Sequence, residues 1–348
     1  MQPPREGAER IRLESRRGFE PIDLASSPSA HASPSADVFT QRVFLASPRG
    51  RYLAYADFHT GELRVLEHRG VRQRPLQRTI TAVRGRDARF SADERLLATL
   101  RDSDTHANGT DLVLMDLATG ETRVLAAGLD HPGWIEWVAS GVVVSHLDAA
   151  DTALTYVPLE GAPRRIATAP DLRMRFSAAR RGHRVVYLVG RRVHVADARR
   201  GEARELGELP EEVVNLEMAP DGSEAALVTA SEIHRVDGDR LAFLVGSGAH
   251  HTVWYSADSR LLAYASERGV SVIDRGRRSY HIDAALGSPV RGARFRAGGG
   301  LVIAAGNQAF VWNPARGTRK VLARAEPGET IDAADVYAGG LVTWRHRR

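Results

Sequence analysis

The chain reads as all-β: a single β-propeller of eight four-stranded blades. Three observations predict it. A unit of about 40 residues repeats along the chain, each unit consists of short apolar runs broken by turn signals, and the two chain ends carry complementary half-units. The repeat is clearest where ASPRGRYLAY (from Ala46) recurs as FSADERLLAT (from Phe90), MAPDGSEAAL (from Met218) and YSADSRLLAY (from Tyr255). Weaker copies begin at Trp137, Phe176, Phe295 and Tyr337, so successive spacings are 44, 47, 39, 42, 37, 40 and 42 residues. Two-helix repeats share this period, but the units hold Val/Leu/Ala/Tyr runs of strand length between Asp-Gly, Ser-Ala-Asp or Pro-Arg-Gly turns.

A second marker follows each of the well-matched first ones: an apolar strand, an acidic or amide residue, then a turn glycine. The pairs are Asp116/Gly120, Asp197/Gly201, Asp274/Gly276 and Asn313/Gly317. This spacing predicts the hairpin between a blade's third and fourth strands, with the side chain capping the turn and Gly at positive φ. At the N-terminus RIRLESRRGFEPIDLA has that third-and-fourth-strand pattern with no first and second strand before it. IDAADVYAGGLVTWRH at the other end supplies a first and second strand with nothing after. Joined, they make one composite blade, which would remove the open edges of the array. Residues 1–25 thus belong to the closing blade, 26–38 form a Ser/Pro/Ala-rich linker, and 39–348 hold the remaining strands. The alternative count is seven blades, with the N-terminal strands packed outside as an arm.

Composition bounds the chemistry. The 348 residues include 43% hydrophobic and 26% charged, which is ample for a core without staples. The absence of cysteine excludes disulfides, Cys-ligated zinc, iron–sulfur clusters and a thiol nucleophile. No apolar run reaches the ~18 residues of a membrane span, and the N-terminus lacks the apolar stretch of a secretory signal, so a cytoplasmic location is expected. The net charge is +5, yet the only lysine is Lys320. Near-exclusive Arg, with abundant Ala and Gly, reads as a bacterial GC-rich genome before it reads as a polyanion-binding surface.

The phrases FSADERLLAT, YSADSRLLAY and APDG resemble the F-S-P-D-G-R-x-L-A-Y signature of TolB-like propeller repeats, and DSDTHANGTDLVLMDLATGETRVLA resembles the loop, strand and turn of that family. The resemblance covers most of the chain and implies the fold. TolB-like proteins carry an export signal and an extra N-terminal domain, neither of which is expected here. WD-repeat proteins are a looser likeness, because the Gly-His and Trp-Asp dipeptides are missing from their places. Propellers of prolyl-oligopeptidase enzymes are related, but no G-x-S-x-G elbow occurs. The segment DLATGETRVLA also resembles quinoprotein repeats, whose docking Trp is replaced here by Arg123 and Val124.

Candidate chemistry is sparse. Asp102, Asp104, His106, Asn108 and Asp111 put several oxygen ligands within ten residues of a loop placed at Arg101–Asp111, as Ca or another divalent cation would need. The spacing is not that of an EF-hand, since Ala107 stands where the turn glycine belongs. A polar loop satisfying its own turns is the competing reading, and no cofactor is expected. His250 and His251 open a strand in which alternation sends them to opposite faces. A propeller hydrolase or lyase would hold a metal on carboxylates from several inner strands around the central channel; no such set is assigned from the repeats.

Charge is uneven along the chain. From Arg164 to Glu205 twelve Arg oppose four acids, and from Glu208 to Asp239 nine acids oppose one Arg. A further basic zone runs from Arg275 to Arg348. Paired blades of opposite sign predict a bipolar docking surface for a partner protein, with Arg164, Arg165, Arg180, Arg181, Arg191, Arg192, Glu211 and Glu212 as candidate contacts. The expected function is a non-enzymatic protein–protein interaction scaffold. The alternatives are metal-dependent hydrolysis or lysis in the channel and nucleic-acid binding through the Arg-rich blade.

Overall fold

Short apolar runs bounded by turns make strands buried on both faces, as in Glu224–Val228 and Leu301–Ala305, and four strands in succession make a blade. The structure is a computed structural model that describes residues 9–14, 22–26, 44–56, 62–67, 76–84, 87–107, 109–170, 174–246, 250–266, 269–275, 278–283, 290–296, 299–337 and 340–347. The expected linker, from residue 27 onward, lies outside the described residues, as do Asn108 and Gly276.

Eight four-stranded antiparallel sheets form, the blades of a β-propeller. Blade 1 runs Phe44–Ala46, Tyr52–Ala56, Glu62–Glu67, Leu76–Arg84. Blade 2 is Ala88–Phe90, Leu96–Asp102, Thr110–Asp116, Thr122–Leu129, and blade 3 is Ile135–Val138, Gly141–Asp148, Asp151–Pro158, Arg164–Ala169. Blade 4 is Arg175–Ala178, Arg184–Val189, Arg192–Asp197, Glu202–Glu208, and blade 5 is Asn215–Met218, Glu224–Val228, Ile233–Asp237, Arg240–Val245. Blade 6 is His250–Tyr255, Leu261–Ser266, Gly269–Asp274, Ser279–Asp283, and blade 7 is Val290–Phe295, Leu301–Ala305, Gln308–Asn313, Thr318–Arg324. The eighth takes Glu329–Tyr337 and Gly340–Arg347 from the C-terminus, then Glu9–Glu14 and Ile22–Ser26 from the N-terminus, in that spatial order. Eight blades, rather than seven with an outlying arm, is therefore the architecture. All eight repeat anchors fall on a first strand.

The described helical structure is one 3-10 turn, Pro314–Arg316, so among the described residues no helix is long and apolar enough to cross a membrane. In that turn Asn313 accepts from Arg316 N (3.1 Å) and Gly317 closes it at φ 62°, as the second marker predicts. Asp116 does the same through Ala118 N and Thr119 N, and Asp197 through Arg200 N. The two amides hold Asp116 below the usual carboxylate range. Register slips between third and fourth strands in blades 1, 2, 3, 4, 5 and 7, a bulge that adds twist where each blade splays outward.

Two compact units are distinguished: Met1–Arg86, Arg268–Val270 and Tyr280–Arg348 make unit 1, and Asp87–Glu267 with Ser271–Ser279 makes unit 2. In unit 2 the core is a series of wedges between successive blades. Val143, Leu154 and Tyr156 of blade 3 meet Phe176, Val185 and Tyr187 of blade 4, and Val186, Leu188 and Val193 meet Met218, Leu227 and Val236 of blade 5. Each such side chain contributes roughly 1.5–3 kcal/mol by leaving water. In unit 1 blade 7 packs on the closing blade through Val302, Ala304, Ile331 and Leu341. The closing blade is also fastened by charge: Glu329 accepts from Arg10 Nη2 (2.8 Å) across the two termini and lies 3.6 Å from the buried Arg345.

Candidate inner-strand site of unit 2

The first strand of each blade is its inner strand, and in unit 2 those of blades 2 to 6 follow one another side by side. Alternation sends the repeat anchors Phe90, Trp137, Phe176 and Met218 into the core, where each is buried. The residues one position earlier therefore share the opposite, inner side: Arg89, Glu136, Arg175 and Glu217, charges of alternating sign on four consecutive blades. Asp87 and Asn215, two residues before Arg89 and Glu217, fall on that side too. The sequence reading missed this set. Its signal was present, because the position before each anchor could have been read down the repeat as a column.

Inner-strand polar side chains stitch one blade to the next. Asp87 Oδ2 accepts from Ile135 N (3.2 Å), Ser177 Oγ from Met218 N (2.9 Å) and Asn215 Oδ1 from Val253 N (3.4 Å). Unit 1 repeats the device, with Asp335 Oδ2 accepting from Ala46 N (3.2 Å). Trp137 Nε1 donates to Arg89 O (2.7 Å), adding a second tie between blades 2 and 3.

Electrostatics converge on Arg89. Its guanidinium donates to Asp87 and lies 3.6 Å from Glu136. Burial lowers its pKa, but Asp87, Glu136 and Glu217 together raise it above its ordinary value. Burial pushes the Asp87 carboxyl up from 3.8 to about 6, against the pull of Arg89 and the amides of Ile135 and Ala88. The Tyr255 hydroxyl, on the first strand of blade 6, is held well above its usual value by burial and by Glu224 and Glu217.

The entry to these strands is different in character. Trp134 and Val214, which immediately precede the inner strands of blades 3 and 5, are 43% and 45% exposed. Their backbones are fixed: Trp134 N donates to Ser145 Oγ (3.0 Å), and Val214 O accepts from Arg175 Nη1 (2.5 Å). An exposed Arg thus opens the blade between two exposed apolar side chains.

The residues singled out from the sequence are distributed otherwise. The second strand of blade 2 runs to Asp102 and the third begins at Thr110, so the expected loop at Arg101–Asp111 shrinks to 103–109. The strands extend because Arg101 pairs with Asp111 and Asp102 with Thr110. Asp102 and Asp111 therefore point to opposite faces of one hairpin. Asp111 is buried, accepts from Gly128 N (3.1 Å) and lies 3.7 Å from Arg101, which also reaches Asp104 at 3.5 Å. Among the described residues no group of three or more His, Asp and Glu side chains gathers to hold a metal. Register shifts between His250 and Thr252, so strict alternation does not run through His250 and His251, whose side chains lie outside the described set.

The eight charged candidates separate by strand end. Arg164, Arg180 and Arg181 lie at the end of the blades that carries the turns joining strands 1 to 2 and 3 to 4. Arg191, Arg192, Glu211 and Glu212 lie at the other, while Arg165 pairs with Asp148. Most of the guanidiniums already have a partner. Arg164 donates to Arg199 O, Arg181 to Ser259 Oγ (3.3 Å), and Arg191 to Glu208 (2.6 Å) and Pro210 O (2.8 Å). Glu211 accepts from the Ser231 hydroxyl at 2.8 Å.

No protein-family model matches the chain, and no curated protein matches it. Solved structures do. One described as the eukaryotic initiation factor is 12% identical with a TM-score of 0.55, covering 98% of both chains. The β-propeller domain of the Trilobed protease from Pyrococcus furiosus is 13% identical, TM-score 0.55, over 82% of this chain and 99% of that one. The dihydro-heme d1 dehydrogenase NirN is 16% identical, TM-score 0.59, over 91% and 73%. Likeness at this identity shows the propeller fold alone.

Proposed function

We propose that the chain is a protein-binding platform, and that its partner docks at the inner-strand entry of unit 2. The observation that carries this is the pair Trp134 and Val214, held exposed on fixed backbone to either side of the blade that Arg175 opens. Interfaces draw their energy from such anchors, an aromatic and an Arg in a preorganised frame, more than from total area. Exposing them costs solubility unless something covers them. The alternating Arg89, Glu136, Arg175 and Glu217 column would fix the orientation of whatever docks. The scaffold reading and a cytoplasmic location are parts of the same proposal.

The test is affinity capture by the tagged chain from its own cells, with nuclease present, comparing wild type with Trp134→Ala/Val214→Ser. Both side chains are exposed, so circular dichroism should report an unchanged fold. A stoichiometric protein retained by wild type and lost by the double variant supports the reading. Equal retention by both places the interface elsewhere, and a bound metal at one equivalent in place of any protein favours channel chemistry.

A further inference from the structure

The stretch from Ala284 to Ala325 contains seven cations and not one acid: Arg291, Arg294, Arg296, Arg316, Arg319, Lys320 and Arg324. It contains the four strands of blade 7. Arg294 is spent on Asp335 (2.7 Å). Arg296, Arg316, Arg319, Lys320 and Arg324 are exposed, and among the described residues none forms an ion pair. Blade 4 makes the contrast, since there Arg191 and Arg204 meet carboxylates and Arg175 and Arg184 bond to carbonyls.

We propose that the outer strand and adjoining turns of blade 7 bind duplex nucleic acid by its phosphate backbone, through Arg316, Arg319, Lys320 and Arg324. The strand Thr318–Arg324 ends its sheet, and among the described residues no strand pairs with its outer edge. It spans about 20 Å, at ~3.3 Å per residue, which matches the rise of about six base pairs. Arg319 lies over the Phe310 ring at 4.2 Å with one bond to Gln308, so its planar fork is preorganised while edge donors remain for a phosphate. The chemistry of the patch favours polyphosphate over an acidic protein. The exposed large hydrophobics among the described residues, Val124, Trp134, Val214 and Phe243, all lie on blades 2 to 5 or the connections between them. Blade 7 therefore offers cations without the apolar anchors a protein interface uses. Phe310 and Trp312 beneath the outer strand are buried, so neither stacks on bases, and binding should be indifferent to sequence.

Basic residues on an edge strand also deter edge-to-edge aggregation. The other outer strands manage with less: Glu202–Glu208 of blade 4 mixes one Arg with three Glu, and Thr122–Leu129 of blade 2 has one Arg.

The experiment is fluorescence anisotropy of a labelled mixed-sequence duplex with the full chain across a salt series. Three to four phosphate contacts predict a slope of log K against log salt of about −3 to −4. Arg316→Ser/Lys320→Ser/Arg324→Ser should weaken binding at least about tenfold and reduce the slope by roughly 2 to 3. Arg191→Ser/Arg192→Ser on blade 4 should leave both unchanged. The charge-preserving Arg316→Lys/Arg324→Lys should keep the slope, which separates lost contacts from a damaged fold. No anisotropy change, or a salt slope untouched by the triple variant, overturns the proposal. So does tighter binding of poly-glutamate or of phosphatidylserine vesicles, which would reassign the patch to an acidic protein or a lipid surface.

Discussion

Asp87 offers the sharpest test of how the inner strands are held. Its carboxylate is 2% exposed and serves three donors at once: Ile135 N on the next blade, Ala88 N, and the Arg89 guanidinium. Asp87→Ala removes all three bonds and leaves Arg89 with Glu136 at 3.6 Å as its near partner in that direction. Breaking a buried charge pair from one side costs about 3–5 kcal/mol, and the orphaned Ile135 amide adds to it. Asp87→Asn keeps an acceptor for one amide and should cost about 1–3 kcal/mol at pH 7. Urea unfolding followed by circular dichroism measures both.

The same residue predicts a pH dependence of defined sign. Its folded pKa of about 6 lies above the 3.8 of the free side chain, so the folded state binds the proton more tightly. Stability from this group is fully present below pH 3.8 and is lost as pH rises through 6. Between pH 7 and 5 the wild type should gain about 1 kcal/mol that Asp87→Asn does not, and the difference between the two cancels every histidine common to both. Parallel pH profiles would refute the raised pKa of Asp87, and an Asp87→Ala cost under about 0.5 kcal/mol would refute the claim that this buried side chain holds the blades together.

Two further outcomes follow from single positions. Ser259 sits at φ 64°, is 1% exposed, and its hydroxyl accepts from Asp221 N (3.0 Å) and Arg181 Nη2 (3.3 Å). Ser259→Ala keeps the strain and loses both bonds, costing about 1–3 kcal/mol; Ser259→Gly also relieves roughly 1 kcal/mol of strain, so thermal melts should rank Gly above Ala. In the closing blade, Glu329→Ala should cost about 1–3 kcal/mol by removing the carboxylate beside buried Arg345 and one of the two that hold Arg10, and should open the N-terminal strand to limited proteolysis; protease resistance equal to wild type would contradict the charge fastening.

The blade count, the composite closing blade and the capped hairpins were legible because they rest on local rules: strand alternation, turn glycines and the residues that precede them. Asp116, Asp197 and Asn313 take the roles their spacing predicts for that reason. The charged candidates were less legible because net charge along the chain does not say which end of a strand a residue occupies. Arg181 and Arg191 are ten apart in sequence and sit at opposite ends of blade 4. Asp102 and Asp111 look like neighbours in a loop, yet one added pair of strand residues on each side sends them to opposite faces.

Partner accounting changes what a basic sequence means. Blade 4 with its approach carries the greater excess of Arg, but Arg165, Arg191 and Arg204 meet Asp148, Glu208 and Asp239, and Arg184 is bonded to the Gly222 and Gly238 carbonyls. A guanidinium already bonded to carboxylate must break that pair before it can displace a counterion from a polyanion, so each exchange gains little. Blade 7 has fewer cations and no acid within the stretch to compete for them. Affinity for phosphate should therefore follow the local excess of cations over acids, seven to none between Ala284 and Ala325 against nine to four between Arg175 and Glu208, which puts blade 7 ahead of blade 4 despite its smaller total.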